Sequence, residues 1–207
     1  MWVVAGPPGS GKSSLFPLSD TGLDHFNADD RCAELNGASY QRIPPEVRVQ
    51  AALECEAFVD EHIKEAKSFA VESTFRNPIV LDQASRAKEN GFVVHLVFVA
   101  ADHVDTNIER VIMRARRGGH SAPPSRIRQT YLASLSNLVA ALRVFDSVTA
   151  YDNSRPAVAP RTVLRMRHGK VAFVADDAPT WVRTALEAIP PTPGSRRTLP
   201  RGRPAGS

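Results

Sequence analysis

Eight residues near the N-terminus, Gly6-Pro7-Pro8-Gly9-Ser10-Gly11-Lys12-Ser13, constrain this chain more than any other stretch. Their spacing, G-x-x-x-x-G-K-[ST], is that of a loop that wraps phosphate. An apolar run, Trp2-Val3-Val4-Ala5, precedes them as a buried strand would, and Ser13-Ser14-Leu15-Phe16 can open a helix. Glycines let backbone N–H groups turn inward on an anion, and a helix N-terminus adds a favourable dipole. In that arrangement Lys12 reaches the β- and γ-phosphates and Ser13 ligates Mg²⁺. Gly6, Pro7, Pro8, Gly9, Ser10, Gly11 and Ser14 complete the cradle. The implied ligands are ATP and Mg²⁺.

At 207 residues the chain suits one α/β domain with a sizeable core. Strand-like and helix-like segments alternate, which argues for a mostly parallel sheet with helices on both faces. After the loop and a connecting stretch at 17–22, His25-Phe26-Asn27 reads as a short strand ending in Asp29-Asp30. A helix from Asp30 to Leu35 follows. Pro44-Pro45 start a long helix to about Lys67, with Val49, Leu53, Ala57, Val59, Ile63 and Ala66 near helical spacing. Phe69-Ala70-Val71 is the next strand, and Asn77-Pro78 cap a helix to Asn90-Gly91. Phe92 to Ala100 is the most apolar run and reads as a central strand. Helices over 104–117 and from Pro123 or Pro124 to about Phe145 flank Gly118-Gly119. A strand at 148–151, an edge hairpin (162–166 and 171–174, turning at His168-Gly169-Lys170) and a helix at 179–188 close the body.

No apolar run approaches the roughly 20 residues that cross a bilayer. The first strand begins at Met1, so no signal peptide is expected, and the expected location is the cytoplasm. Cys32 and Cys55 are too few for a disulfide framework and lack metal-site spacing. The net charge of +4 invites a nucleic-acid reading, but Arg196, Arg197, Arg201 and Arg203 account for all of it. They lie in residues 190–207, a stretch of Pro, Gly, Ser and Arg without an acid, which reads as a disordered basic tail on a domain spanning 1–189. The neutral body lacks a basic, aromatic-rich stripe, so nucleic acid is not expected beyond a weak hold through the tail.

Ligands of open α/β sheets sit beyond the carboxyl ends of the strands. Asn27-Ala28-Asp29-Asp30, Glu72-Ser73-Thr74-Phe75-Arg76 and Asp152-Asn153-Ser154 fall there. Arg110, Arg114, Arg116 and Arg117 lie on a helix entering the Gly118-Gly119-His120 hinge, as in a phosphotransferase lid, where cations neutralise charge on the transferred group.

Six segments in this order resemble the bacterial zeta-toxin-like P-loop kinases over about residues 1 to 155. They are the loop, Phe26-Asn27-Ala28-Asp29-Asp30, Phe69-Ala70-Val71-Glu72-Ser73-Thr74, Arg117-Gly118-Gly119-His120, residues 131–138 and Tyr151-Asp152-Asn153-Ser154. The resemblance implies a three-layer P-loop kinase fold with a mostly parallel sheet and a small lid. It also implies ATP, Mg²⁺ and phosphoryl transfer to a small-molecule hydroxyl, which in better-known members belongs to UDP-N-acetylglucosamine. It leaves open an antitoxin protein as partner.

By position, the resemblance makes Asp29 the general base. Glu72, Thr74 and Arg76 match a substrate-contacting E-x-T-x-R segment, beside Asn27. Glu72 alternatively holds a Mg²⁺-bound water. Arg117 is the first choice for the lid arginine, with Arg114 and Arg128 behind it. Asn153 lies near adenine or in a turn, Asp30 caps a helix, and His120 is a satisfied hinge histidine. A kinase for another metabolite or an antibiotic, and a nucleotide-dependent nucleic-acid-processing ATPase, are the alternatives.

Overall fold

The computed structural model describes residues 1–155 and 157–189; the predicted basic tail, 190–207, lies outside the described residues. The strands are β1 (Trp2–Ala5), β2 (Asp24–Asn27), β3 (Phe69–Ser73), β4 (His95–Ala100), β5 (Ser147–Asp152), β6 (Arg161–Arg167) and β7 (Lys170–Val174). They form one sheet in the order β2-β3-β1-β4-β5-β6-β7. The first five are parallel, and β6 and β7 run antiparallel. This is a three-layer α/β arrangement around a mostly parallel sheet, as the alternation of segments predicts.

Period-2 burial explains the layers. Val3 and Ala5, Phe69 and Val71, Leu96, Phe98 and Ala100, and Val148 and Ala150 share the main core. Their cover comes from α3 (Pro45–Lys64), α4 (Ile79–Glu89), α6 (Pro124–Val144) and α7 (Thr180–Glu187). The opposite side has a small core of Val4, Ala70 and Leu18, with Phe16, Leu23 and Val97 packed on it. The remaining helices are α1 (Lys12–Leu15), α2 (Ala28–Leu35) and α5 (Val104–Arg116).

Several boundaries differ from expectation, each for a local reason. The helix after the loop is one turn, and residues 17–22 hold a 3-10 turn, Leu18–Thr21. β4 starts at His95 instead of Phe92, because the Val94 N–H is taken by the Asp146 carboxylate (2.9 Å) before the ladder begins. α4 has Pro78 at its N-cap with no side-chain cap, so Asn77 does not cap it. α3 buries Ala51, Val59 and His62, leaving Val49 and Leu53 about 60% exposed. The edge hairpin forms as read: Arg167 pairs with Lys170, and His168 (φ 47°) and Gly169 (φ 72°) make the two-residue turn with positive φ at both positions.

This topology brings the carboxyl ends of β1, β2, β3, β4 and β5 to one edge of the sheet. Asn27 is in register with Glu72, Ala5 with Ser73, and Ala100 with Asp152. All three polar clusters therefore gather around the loop that leaves β1.

Candidate active site

The loop turns at glycines whose positive φ and close backbone neighbours leave no room for a side chain without strain. At Gly6 (φ 145°) a Cβ would lie 2.0 Å from the Val99 carbonyl oxygen, and at Gly9 (φ 76°) 2.4 Å from the Asn107 carbonyl oxygen. We expect Gly9→Ala to cost about 1–3 kcal/mol of stability through strain and the backbone clash. Urea unfolding measures it, and a midpoint equal to that of the wild type would show that α5 moves aside freely.

Two carboxamides hold the loop from outside. Asn107 of α5 donates from Nδ2 to the Pro8 carbonyl (2.7 Å), and Asn153, just past β5, donates to the Ser10 carbonyl (2.8 Å). Arg110 then donates to the Asn153 carbonyl (2.8 Å). The Asn153 amide thus braces the loop from within a turn in which the Ser154 N–H donates to Asp152 Oδ1 (3.0 Å). Asn107 was not singled out at all. Its one signal is polarity on a face that buries Ile108 and Val111.

Inside the cradle the Lys12 ammonium is almost fully buried, with the Pro7 carbonyl at 3.4 Å and the Glu72 carboxylate at 4.0 Å. Burial pulls its pKa down, against the attraction of Glu72. Burial likewise pushes the Glu72 carboxyl up, opposed by Lys12 and by the Ser13 hydroxyl, which donates to Glu72 Oε1 (3.0 Å). A dehydrated cation at a bed of loop N–H groups suits a polyphosphate. A hydroxyl next to a carboxylate is an oxygen donor set that fits Mg²⁺, which takes its other ligands from phosphate and water.

Across from this pair lies α2. Its N-cap is Asn27, whose Oδ1 accepts from the backbone N–H of Asp29 (3.0 Å) and Asp30 (3.4 Å). Asp30 is therefore not the cap, because the extended backbone at Asn27 already places a side-chain acceptor over the first turn. Asp30 instead accepts from the Tyr40 hydroxyl (2.8 Å), which helps push the phenol up to about 12. The charge of Asp29 bears on Lys12, Glu72, Cys32 and His120, and on Glu72 more than that of Asp30 does. Asp29 lies in the first turn of α2, two residues past the Asn27 that is in register with Glu72.

Beyond Glu72, Phe75 is buried in a left-handed conformation (φ 57°). Its N–H donates to Ser73 Oγ (3.0 Å), and its carbonyl accepts from Asn137 (2.9 Å). That kink leaves Thr74 half-buried and Arg76 exposed, with the Arg76 charge acting on Cys32 of α2.

Arg128 is exposed and paired with Asp105 (2.6 Å). Arg117 is the exposed C-cap of α5, where the chain turns at Gly118 (φ 88°). Arg114 is exposed too, and its charge acts on Lys12, Tyr40 and His120. His120 also departs from its reading as a satisfied histidine: Nδ1 is buried without a hydrogen-bond partner.

A family model described as Zeta toxin matches residues 1–162. The chain belongs to the zeta-toxin family. An uncharacterized protein of Haemophilus influenzae is 28% identical over 138 residues, covering 63% of this chain and 96% of that protein. Among solved structures, a chain of the AvrRxo1-ORF1:AvrRxo1-ORF2 complex with sulphate ions superposes with a TM-score of 0.63 at 16% identity over 86% of this chain. This zeta-toxin family member spans 63% of that chain's length. The PezAT toxin-antitoxin system of Streptococcus pneumoniae gives 0.55 at 14% identity, covering 91% of this chain and 85% of the other. Shikimate kinase of Acinetobacter baumannii, in complex with shikimate, gives 0.50 at 13% identity, with 75% and 84% covered. At these identities the superpositions establish the fold.

Proposed function

We propose that this zeta-toxin family chain is an ATP-dependent phosphotransferase. It moves the γ-phosphoryl group to a hydroxyl of a small molecule, a nucleotide sugar such as UDP-N-acetylglucosamine. The observation that supports the reading is the grouping of Lys12, Ser13 and Glu72 at the loop, with Asp29 in the first turn after Asn27, the residue in register with Glu72. A carboxylate beside a phosphate cradle suits the division of labour that phosphoryl transfer needs.

In this mechanism the loop N–H groups and Lys12 hold the triphosphate, and Ser13 and Glu72 would hold Mg²⁺ with it. Mg²⁺, when bound, neutralises charge on the β- and γ-oxygens. The acceptor hydroxyl attacks the γ-phosphorus in line, its proton passes to an Asp29 carboxylate oxygen, and the bond from phosphorus to the ADP oxygen breaks. Arg114 offsets the charge that spreads over the transferring group. Asn27 holds the turn that aims Asp29. Thr74 and Arg76, beyond β3, border the acceptor, while Asn107 and Asn153 keep the cradle in shape. Residues 1–189 act as one kinase domain working in the cytoplasm. An antitoxin protein is a fitting partner for a chain of this family. Among the described residues no helix is long and apolar enough to cross a membrane.

The test is incubation with ATP, Mg²⁺ and a panel of sugars, nucleotide sugars, other metabolites and antibiotics, read by mass spectrometry. Gain of one phosphate on UDP-N-acetylglucosamine is the expected result. Gain on another molecule would reassign the acceptor, and an ATPase rate raised by DNA or RNA but by no small molecule would replace the kinase reading.

The arginine assignment has its own test. Arg114→Ala should lower kcat by about 10³-fold or more, in the range that a transition-state cation supplies, and change ATP affinity little. Arg117→Ala should stay within a few-fold of wild type. The reverse ranking would restore Arg117 as the lid arginine.

A further inference from the structure

The two edges of the sheet are finished differently. At one edge β2 carries Asp24, which pairs with Lys67 (3.5 Å), so charge marks that strand. At the other edge β7 pairs with β6 alone, and all of Lys170–Val174 is exposed. A free edge offers a row of backbone N–H and C=O groups to any strand that meets it, and proteins usually blunt it with charge, proline or a covering element. Val171-Ala172-Phe173-Val174 has neither charge nor proline, and no other described segment covers it. A register shift against β6 between Arg165 and Met166 is the local irregularity, and it leaves the apolar run intact.

The core face of the sheet also runs out here. Val171 is opposite Met166 and Val174 opposite Leu164, and both partners are buried in the main core. Directly opposed residues share a face. Yet Val171 stays 50% and Val174 36% exposed, because no described strand lies beyond β7, and Phe173 is 44% exposed between them.

The charges at the two ends of the strand say what fits this edge. Arg167, His168 and Lys170 stand at its start, and Asp176 and Asp177 lie just past its end. Asp177 is held by Arg161, whereas Lys170 and Asp176 have no ion pair among the described residues. A second copy laid antiparallel along β7 brings the basic start of each strand to the acidic end of the other. It does so twice, about a two-fold axis. Parallel alignment would set like charge against like.

We propose that β7 is a self-association edge, on which a second copy of this chain adds its own β7 antiparallel and makes one continuous sheet. The charges pick the register. With Lys170 opposite Asp176 of the second copy, Phe173 falls on the axis and meets its own counterpart, an aromatic cross-strand pair. The axis closes the assembly at two copies. β4, β5 and β6 separate β7 from the β1 strand that carries the phosphate loop, so pairing leaves both loops uncovered. One short strand per copy is a small contact of the transient class, and association belongs in the micromolar range.

Sedimentation equilibrium of the full chain over micromolar concentrations tests this. Wild type should pass from monomer to dimer and no further. Phe173→Lys sets two ammonium groups together on the axis and should leave a monomer throughout. Lys170→Asp alone, or Asp176→Lys alone, should weaken the dimer about 10-fold, the size expected when two cross-strand ion pairs become like-charge pairs. Both changes together restore opposite charges and should recover wild-type association. If Phe173→Lys fails to fold, the charge exchanges carry the decision, since Lys170 and Asp176 are exposed. A monomeric wild type, a folded Phe173→Lys protein that still pairs, assemblies larger than two, or a double exchange no better than either single change would each overturn the proposal.

Discussion

Asp29→Asn should slow phosphoryl transfer by about 10²–10⁴-fold, the usual contribution of a positioned base. Asparagine keeps the size and shape of the side chain but cannot take the hydroxyl proton. ATP binding should persist, because Lys12, Ser13 and the loop backbone are untouched and the Asn27 cap uses only the backbone N–H of residue 29. Asp30→Asn is the internal control. Asp30 is exposed, is not the cap and bonds Tyr40, which an asparagine oxygen can still accept, so its replacement should be nearly silent. Single-turnover phosphorylation of the identified acceptor, with nucleotide affinity measured alongside, separates the outcomes. Loss in Asp30→Asn with activity in Asp29→Asn would shift the base by one residue. Activity in both would remove this strand end from catalysis.

Lys12→Ala should be the most damaging single change, with transfer reduced by about 10³-fold or more, on the scale of a lost transition-state cation. Its effect on the ligand-free fold should be small. Lys12 is desolvated and has little compensation beyond a carboxylate at 4.0 Å, so its removal relieves one unfavourable burial while leaving another at Glu72. Isothermal titration with ATP and thermal unfolding of the ligand-free protein measure the two parts. Near-normal turnover in a folded Lys12→Ala protein would overturn the assignment of the cradle.

Much of this arrangement was legible from local chemistry. Trp2–Ala5, Phe69–Ser73 and the edge hairpin announce themselves by apolar runs and turn residues, and Asp29 and Glu72 by lying at or just past the carboxyl ends of apolar strand segments. The features that escaped are long-range. Nothing in the letters of Asn107 or Asn153 says that each holds a carbonyl of the N-terminal loop. Asn27 and Asp30 are both good caps by composition, and only the extended backbone at Asn27 decides between them. Arg114 and Arg117 sit three residues apart at the end of α5, both exposed, and the turn at Gly118 and Gly119 brings the backbone against the stem of the first. Val49 and Leu53 match a helical period, yet α3 buries a different stripe because packing, and not period alone, chooses the face.

The two asparagine braces also set an order of events during synthesis. The struts of the phosphate loop lie 99 and 143 residues downstream of the carbonyls they hold, so the loop is synthesised well before them. A nascent or prematurely terminated chain that ends before residue 107 has the whole G-x-x-x-x-G-K-S motif and neither strut. One that ends before residue 153 has only the first. Such fragments carry the signature of a phosphate loop without the scaffold that shapes it.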